Sequence, residues 1–195
     1  MSFLEDFERC GPSPSILSDV SHLVIIRGNS ASGKSTLALE LQRALGPGTA
    51  NVGQDHLRRV ILREHDVPAG DNIDLIAETV RYCAGIGYNV ILEGILYSPH
   101  YGTMLRRLVG EHPGPSHVFY LDVPLEETLR RHERGAMAVP SDKLREWYHR
   151  LDLLDVPGEV TVDGCAGTEQ TLAFVLDRIG PVTPVRRDLD AARFL

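Results

Sequence analysis

The sequence has little of what marks several special classes of protein. Its 195 residues contain three cysteines, at Cys10, Cys83 and Cys165, and no Cys-x-x-Cys pair, which argues against a disulfide framework or a zinc site. No apolar run approaches the roughly 20 residues needed to cross a bilayer. The first nine residues are acidic and mixed, unlike the basic and then apolar start of a signal peptide. We therefore expect a cytoplasmic protein with reduced thiols.

Positive charge is also scarce. The chain has 20 Lys and Arg against 27 Asp and Glu, a formal net charge of −7. Nucleic acid and anionic membranes attract basic surfaces, so we expect neither as a partner. The 43% hydrophobic and 24% charged residues are those of an ordinary globule, and the length fits a single domain over 1–195 with a core at about 22–180. Both a monomer and a homodimer remain open.

Short apolar runs alternate with amphipathic stretches, and there is no internal repeat. The apolar runs predict strands over Leu23–Arg27, Thr49–Gly53, Asn89–Glu93, His117–Asp122 and Glu159–Asp163. Helical spacing predicts helices over Lys34–Leu45, Asp55–Glu64, Ile73–Ala84, from Ser98 onward, Pro124–Glu133, Ser141–Arg150 and Thr168–Ile179. This alternation predicts an α/β protein with a parallel sheet wrapped on both faces, whose ligands bind at the carboxyl ends of the strands.

Local signals refine two of these boundaries. Asp71 or Asn72 is predicted to cap the third helix, and Ser98 followed by Pro99 to open the fourth. The tail Pro181–Leu195 receives no assignment.

The segment after the first strand carries the strongest functional signal. It matches G-x-x-x-x-G-K-[ST] and lies between a buried strand and a helix, a context that argues against a chance glycine-rich turn. Its glycines let successive N–H groups turn inward and, with the helix N-terminus, bind phosphate. Lys34 adds positive charge at the β- and γ-phosphates, and the Ser35 hydroxyl is a ligand for Mg²⁺. The predicted nucleotide-binding residues are Gly28, Asn29, Ser30, Ala31, Ser32, Gly33, Lys34, Ser35 and Thr36.

Acidic residues follow the next two strands. Asp55 is predicted to take a proton from an acceptor hydroxyl, and its alternative role is a simple helix cap. Glu93 is predicted to hold the Mg²⁺ shell through water or to contact the acceptor, and its alternative is a solvated carboxylate. Which of the two carboxylates is the base stays open.

Basic and aromatic residues near these acids are the remaining acceptor-site candidates. Arg58 and Arg59 lie one turn beyond Asp55 and are predicted, with Tyr97, to bind the acceptor. The alternative for the arginines is solvation, and for the tyrosine it is packing.

A second group of candidates belongs to the lid. Arg130 and Arg134 are four residues apart and precede the linker Gly135–Pro140, so they are predicted to close over the triphosphate and act in catalysis. The alternative is a basic helix end that complements the macrodipole. Trp147 and Tyr148 are expected to pack the next helix.

With these residues placed, the chain resembles the small P-loop kinases, which include nucleoside-monophosphate-kinase-like enzymes, gluconate and shikimate kinases, chloramphenicol phosphotransferase and zeta-toxin kinases. The likeness covers roughly Val24 to Ile179 and is most specific at Gly28–Thr36. It implies a three-layer P-loop sandwich with five strands in the order 2-3-1-4-5. It also implies that Asp55 activates the acceptor, that Arg130 or Arg134 is a lid arginine, and that the loop Gly164–Gly167 lies near the adenine.

The chain departs from this group in two places, a short lid at about 130–148 and a helical insertion at about 55–88 without a family signature. The predicted function is transfer of the γ-phosphoryl group from ATP, or another nucleoside triphosphate, with Mg²⁺ to a hydroxyl of a small molecule: a metabolite, a nucleoside-like compound or an antibiotic. One alternative is a polynucleotide 5′-hydroxyl kinase with a basic track of Arg58, Arg59, Arg106 and Arg107. Another is a P-loop NTPase without a small-molecule acceptor.

Overall fold

The computed structural model describes residues 21–134 and 140–182. The predictions made for the N-terminal residues with Cys10, for positions 135–139 of the linker and for the tail beyond 182 lie outside the described residues. Within the described part, no helix has the length and apolarity that a membrane span requires.

Five strands and six α-helices form the described fold. The strands are β1 (Leu23–Gly28), β2 (Thr49–Gly53), β3 (Asn89–Gly94), β4 (Ser116–Asp122) and β5 (Glu159–Asp163). The helices are α1 (Lys34–Leu45), α2 (Asp71–Gly85), α3 (Ser98–Glu111), α4 (Leu125–Arg134), α5 (Ser141–Trp147) and α6 (Thr168–Ile179). All strand pairings are parallel, in the order β2-β3-β1-β4-β5. This confirms the predicted fold class and sheet order.

The central strand β1 is buried along its whole length because helices cover both faces of the sheet. Leu23 and Ile25 pack in one apolar cluster with residues of α2 and α3. Val24 and Ile26 pack in a second cluster with residues of α1 and α6. Alternate residues of a strand point to opposite faces, which explains why this strand reads as a continuous apolar run.

The segment after β2 differs from its prediction. Instead of an α-helix over Asp55–Glu64, a π-helix spans His56–Leu62. It ends at Arg63, which has a left-handed φ of 58°. Two apolar residues of this segment, Val60 and Ile61, are 63% and 54% exposed. The hydrophobic pattern does not distinguish these two kinds of helix, because π-bulges are defined by hydrogen bonding rather than by composition.

The predicted caps of two helices are corrected, although α3 does begin at Ser98 as predicted. Gly70, not Asp71 or Asn72, occupies the N-cap of α2. The side chain of Asn72 is buried and bonded to Glu64 instead. At α3 the N-cap is Tyr97, and Ser98 lies in the first turn, where its hydroxyl bonds to the Asp152 carboxylate. In both cases a tertiary partner engages a side chain that would otherwise favour a local cap.

Candidate active site

The phosphate loop joins β1 to α1 through three residues with positive φ. Gly28 has a φ of 146°, and a Cβ atom there would lie 2.6 Å from the Leu121 carbonyl oxygen of β4. Gly33 has a φ of 94° and Ala31 a φ of 57°. A side chain at position 28 would therefore collide with the neighbouring strand, so the loop depends on this glycine for its shape.

Lys34 and the start of α1 make the loop a site for anions. No side chain of the described residues caps α1, whose N-cap is Gly33, so its first N–H groups remain available to phosphate oxygens. Lys34 Nζ lies over the loop and donates to Asn29 O at 2.7 Å and Ser32 Oγ at 3.3 Å. Burial lowers the pKa of Lys34 to about 8, an effect that the Glu93 and Asp55 carboxylates oppose.

Ser35 and Glu93 meet across the loop. Ser35 Oγ donates a hydrogen bond of 3.0 Å to Glu93 Oε2. Burial raises the pKa of Glu93, while the Ser35 bond and the Lys34 charge lower it and Asp55 raises it further. A hydroxyl and a carboxylate are the hard oxygen donors that Mg²⁺ prefers. The residues present therefore fit both a triphosphate and its magnesium ion.

Asp55 lies at the end of β2 and pairs with the two arginines that follow it. Arg58 Nη2 is 2.9 Å and Arg59 Nε 3.1 Å from the same oxygen, Asp55 Oδ1. Asp55 occupies the N-cap of the π-helix, but its carboxylate makes no capping bond to the described residues. The side chain of Arg58 is only 8% exposed, and its Nε has no hydrogen-bond partner among the described residues.

A cavity of about 570 Å³ opens beside Arg58 and Arg59, the two partners of Asp55. Its lining includes three of the residues predicted to bind an acceptor, Arg58, Arg59 and Tyr97, and also contains Trp147 and His149, which were not predicted as site residues. Trp147 was expected to pack its helix, yet it lines the cavity. Tyr148 does pack, donating from Oη to Val123 O at 3.1 Å.

Asn29 connects this cavity to the phosphate loop. Its side-chain amide donates to His149 O at 2.8 Å and accepts from His149 N at 2.9 Å. The His149 ring in turn stacks on Tyr97, with centroids 4.0 Å apart. Because the two hydrogen bonds are made by one planar amide, they fix the backbone at 149 relative to the loop.

Arg131 is the arginine of α4 that reaches the phosphate loop. Its Nη1 donates to Ser32 O at 3.4 Å and its Nη2 to Gly164 O at 2.8 Å. Glu127 binds both Arg130, through bonds of 2.6 and 2.7 Å, and Arg131, whose Nε donates at 2.8 Å. Arg134 is exposed at the end of α4. The spacing of four residues favours Arg130 and Arg134 and does not include Arg131.

A five-stranded parallel sheet of this order, with the phosphate loop between its central strand and the first helix, defines a P-loop protein of the small-kinase fold. The family described as the AAA domain matches residues 23–154. That is more than half of the chain, and the chain belongs to this family. No curated protein matches the chain significantly.

Several solved structures share the fold at low sequence identity. The gluconokinase of Sinorhizobium meliloti 1021 is 16% identical, with a TM-score of 0.60 over 83% of this chain and 91% of its own. The APS kinase of Mycobacterium tuberculosis, solved with AMPPNP and APS, is 19% identical, with a TM-score of 0.66 over 82% and 98%. The tunicamycin resistance protein of Deinococcus radiodurans is 20% identical, with a TM-score of 0.60 over 83% and 97%. These likenesses confirm the fold of small P-loop kinases.

Proposed function

We propose that the protein transfers the γ-phosphoryl group of ATP, or of another nucleoside triphosphate, to a hydroxyl group of a small molecule. The observation that carries the proposal is the convergence of Lys34, Ser35, Glu93 and Asp55 at one edge of the sheet, beside a cavity large enough for an acceptor. A protein that only binds nucleotide has no need of a second carboxylate between the phosphate loop and a cavity.

The donor would be held by Gly28–Thr36, with Lys34 on the β- and γ-phosphates. Ser35 Oγ and, through water, Glu93 would hold Mg²⁺, which supplies charge neutralisation to the phosphates when bound. The Ser35–Glu93 hydrogen bond of 3.0 Å keeps both oxygens on one side of the loop. Binding of the anionic donor would favour the charged form of Lys34, whose pKa burial has lowered.

Asp55 is the proposed base for the acceptor hydroxyl. Both arginines bind its Oδ1, and Oδ2 makes no hydrogen bond to the described residues, so that oxygen is available to take the proton. Arg58 and Arg59 orient the carboxylate and, with Tyr97, contact the acceptor. Glu93 is the next candidate if Asp55 does not serve as the base.

The lid arginines complete the proposal. Arg130 and Arg134 remain proposed to close over the triphosphate and offset negative charge during transfer. The contact between Arg131 and Ser32 O adds this third arginine to the group.

The comparisons support a small molecule as the acceptor. Similar structures are named as a gluconokinase, an APS kinase and a sugar kinase. The polynucleotide alternative relied on four arginines acting as one basic track. Of these, Arg106 donates to Leu154 O at 3.0 Å and Arg107 pairs with Glu111 on its own helix. Because both have these other partners, Arg106 and Arg107 do not form a continuous basic track with Arg58 and Arg59. We therefore prefer a small molecule to a polynucleotide as the acceptor. We retain the proposals of a cytoplasmic protein that acts as a monomer or a homodimer.

The test is phosphoryl transfer from ATP to a panel of small alcohols in the presence of Mg²⁺, detected as a gain of one phosphoryl group by mass spectrometry. Asp55→Asn should keep ATP affinity and lower transfer by about 10²-fold or more. Lys34→Ala should lose both ATP affinity and phosphoryl transfer. The matched control is Asp71→Asn, an exposed acid at the start of α2, which should change neither. Phosphoryl transfer by the Lys34→Ala variant would refute the proposal. Unchanged transfer by the Asp55→Asn variant would indicate that Glu93, not Asp55, is the base.

A further inference from the structure

Aromatic rings make up much of the cavity lining beside Asp55. The rings of Tyr97 and His149 stack with centroids 4.0 Å and planes 14° apart. Trp147 also lines the cavity and remains 41% exposed. Aromatic side chains that line a cavity can bind other flat rings, including nucleobases, through faces that are not already stacked, without requiring a particular pattern of polar groups.

Hydrogen bonds to its backbone fix the main chain of His149. Besides the two bonds with Asn29, its carbonyl oxygen accepts a hydrogen bond of 3.0 Å from Tyr120 Oη. None of these bonds uses the imidazole ring. The backbone is therefore anchored to the phosphate loop and to β4, and the ring is left to stack in the cavity wall. A binding surface positioned in this way loses little freedom when a ligand arrives.

The polar groups of the cavity favour a ligand that accepts hydrogen bonds. Its two carboxylates already have partners: Glu64 Oε2 accepts from Asn72 Nδ2 at 3.1 Å, and Asp66 Oδ1 accepts from Tyr101 Oη at 2.9 Å. The arginines that line it are Arg58 and Arg59, and the side chain of Arg59 is 48% exposed. An exposed guanidinium can donate hydrogen bonds to oxygen atoms of a ligand.

We propose that the phosphoryl acceptor is an alcohol that carries a planar unsaturated ring, as a nucleoside or an aromatic glycoside does. The ring stacks against Tyr97, Trp147 and His149, and the hydroxyl faces Asp55. This inference rests on the proposed function and narrows its substrate class. A saturated sugar acid or an open-chain polyol offers no flat face to this wall.

The test exploits Trp147, the single tryptophan of the chain. The full-length protein, saturated with ADP and Mg²⁺, is titrated with two matched pairs: uridine against methyl riboside, and phenyl glucoside against methyl glucoside. Each pair keeps the sugar hydroxyls and differs in the ring. We expect at least one ring-bearing compound to quench the tryptophan fluorescence saturably and to bind at least about fivefold more tightly than its ring-free partner.

His149→Ala removes the ring and keeps the backbone bonds to Asn29. This substitution should lower the affinity for the ring-bearing compound by at least about fivefold and leave the affinity for ATP unchanged. His149→Phe keeps a flat ring and should restore the binding. Equal loss in His149→Ala and His149→Phe would indicate a role other than stacking and contradict the proposal.

The remaining outcomes separate this inference from the proposed function. The absence of quenching by both ring-bearing compounds, or equal binding of their ring-free partners, overturns the ring requirement. Phosphoryl transfer to ring-free alcohols as fast as to ring-bearing ones would also overturn it, while supporting the kinase function. Binding of ring-bearing compounds with no transfer to any alcohol would support the aromatic site and contradict the kinase function.

Discussion

Arg27 and Asp152 form an ion pair of 2.7 Å that attaches the cavity wall to the central strand. Arg27 lies within β1 and is fully buried. It also donates to Leu96 O, the residue before Tyr97, at 2.9 Å from Nη2 and 3.2 Å from Nε. Burial lowers the pKa of Arg27, and the charges of Asp152 and Glu159 oppose this effect. One guanidinium thus holds both chain segments that contribute aromatic rings to the cavity.

Asp152→Ala should destabilise the protein strongly, because it leaves the Arg27 charge buried without its main partner. Removing one member of a buried ion pair typically costs about 3–5 kcal/mol of unfolding free energy. The measurement is urea denaturation followed by circular dichroism. The control is Glu146→Ala, which removes the exposed pair with Lys143 and should cost no more than about 0.5 kcal/mol. Equal losses in the two variants would contradict a structural role for the Arg27 network.

Lys34→Met should abolish nucleotide turnover and yet raise the thermal stability of the protein without nucleotide. The lowered pKa of about 8, against an ordinary 10.5, means that the fold holds a charged lysine at a cost. At about 1.4 kcal/mol per pKa unit, the cost is about 3.5 kcal/mol. Differential scanning calorimetry of both proteins measures the change.

The cost of the buried Lys34 charge should depend on pH, because it applies only while the lysine is protonated. Between about pH 8 and 10.5 the unfolded chain binds more protons at this lysine than the folded protein does. The wild type should therefore gain stability relative to Lys34→Met as the pH rises through this window, and below about pH 8 the full cost should apply. A gap in stability that does not change with pH would contradict the lowered pKa.

Asn29→Ala should weaken ATP binding although its side chain bonds to protein rather than to phosphate. The variant loses both bonds to the His149 backbone and the contact of 3.2 Å with Tyr120 Oη. Loss of two buried hydrogen bonds predicts a decrease in affinity of about tenfold, measured by titration calorimetry. Asn51→Ala makes the same substitution at an exposed position of β2 and should bind ATP normally. A normal affinity in Asn29→Ala would mean that the loop keeps its shape without His149.

Arg131→Ala should lower kcat for phosphoryl transfer more than Arg130→Ala does. Both arginines are bound to Glu127 on their own helix, but Arg131 also contacts the phosphate loop and Gly164. An arginine that stabilises charge in transfer contributes at least about tenfold and up to about 10³-fold or more. Steady-state kinetics on the two variants decides between the residues. A larger decrease in kcat in Arg130→Ala or in Arg134→Ala would indicate that one of these two arginines, as predicted from the sequence, stabilises the charge during transfer.

Acid should destabilise the protein through a pair of stacked histidines at the amino ends of β1 and β4. His22 Nδ1 and His117 Nε2 lie 3.3 Å apart. Burial lowers the pKa of both, assisted by His112 at His22 and by His22 at His117. The unfolded chain then binds protons more readily, so stability should fall as the pH decreases below the ordinary 6.5.

Denaturation at a series of pH values tests this expectation. His117→Gln should reduce the loss of stability between about pH 7 and pH 5. His56→Gln, at an exposed position, should leave the loss unchanged. A wild type whose stability does not change across this range would refute the lowered pKa values.

Local patterns predicted much of the fold because their causes are local. The bounds of β2, β5, α1 and α6 agree with the sequence-based ones. The phosphate loop was also evident, since its glycines, lysine and hydroxyl are consecutive in the chain. Each of these features depends on periodicity or on steric limits within a few residues.

The cavity wall was not predictable by the same means. Asn29 and His149 are separated by 120 positions, and no spacing rule connects them. Arg27 did offer a signal, because an arginine inside a strand covered on both faces requires a buried partner. The sequence does not identify that partner, because Asp152 is separated from Arg27 by five α-helices and the π-helix.

The two hydrogen bonds between Asn29 and the backbone at 149 affect when, during synthesis, the chain becomes able to bind nucleotide. When the ribosome has produced the complete consensus motif, most of the polypeptide that braces it has still to be made. The nascent protein should acquire tight nucleotide affinity only after position 149 has left the exit tunnel, since domains complete their packing as units. The phosphate-loop motif is continuous in the sequence and is made early, but it should bind nucleotide tightly only late in translation.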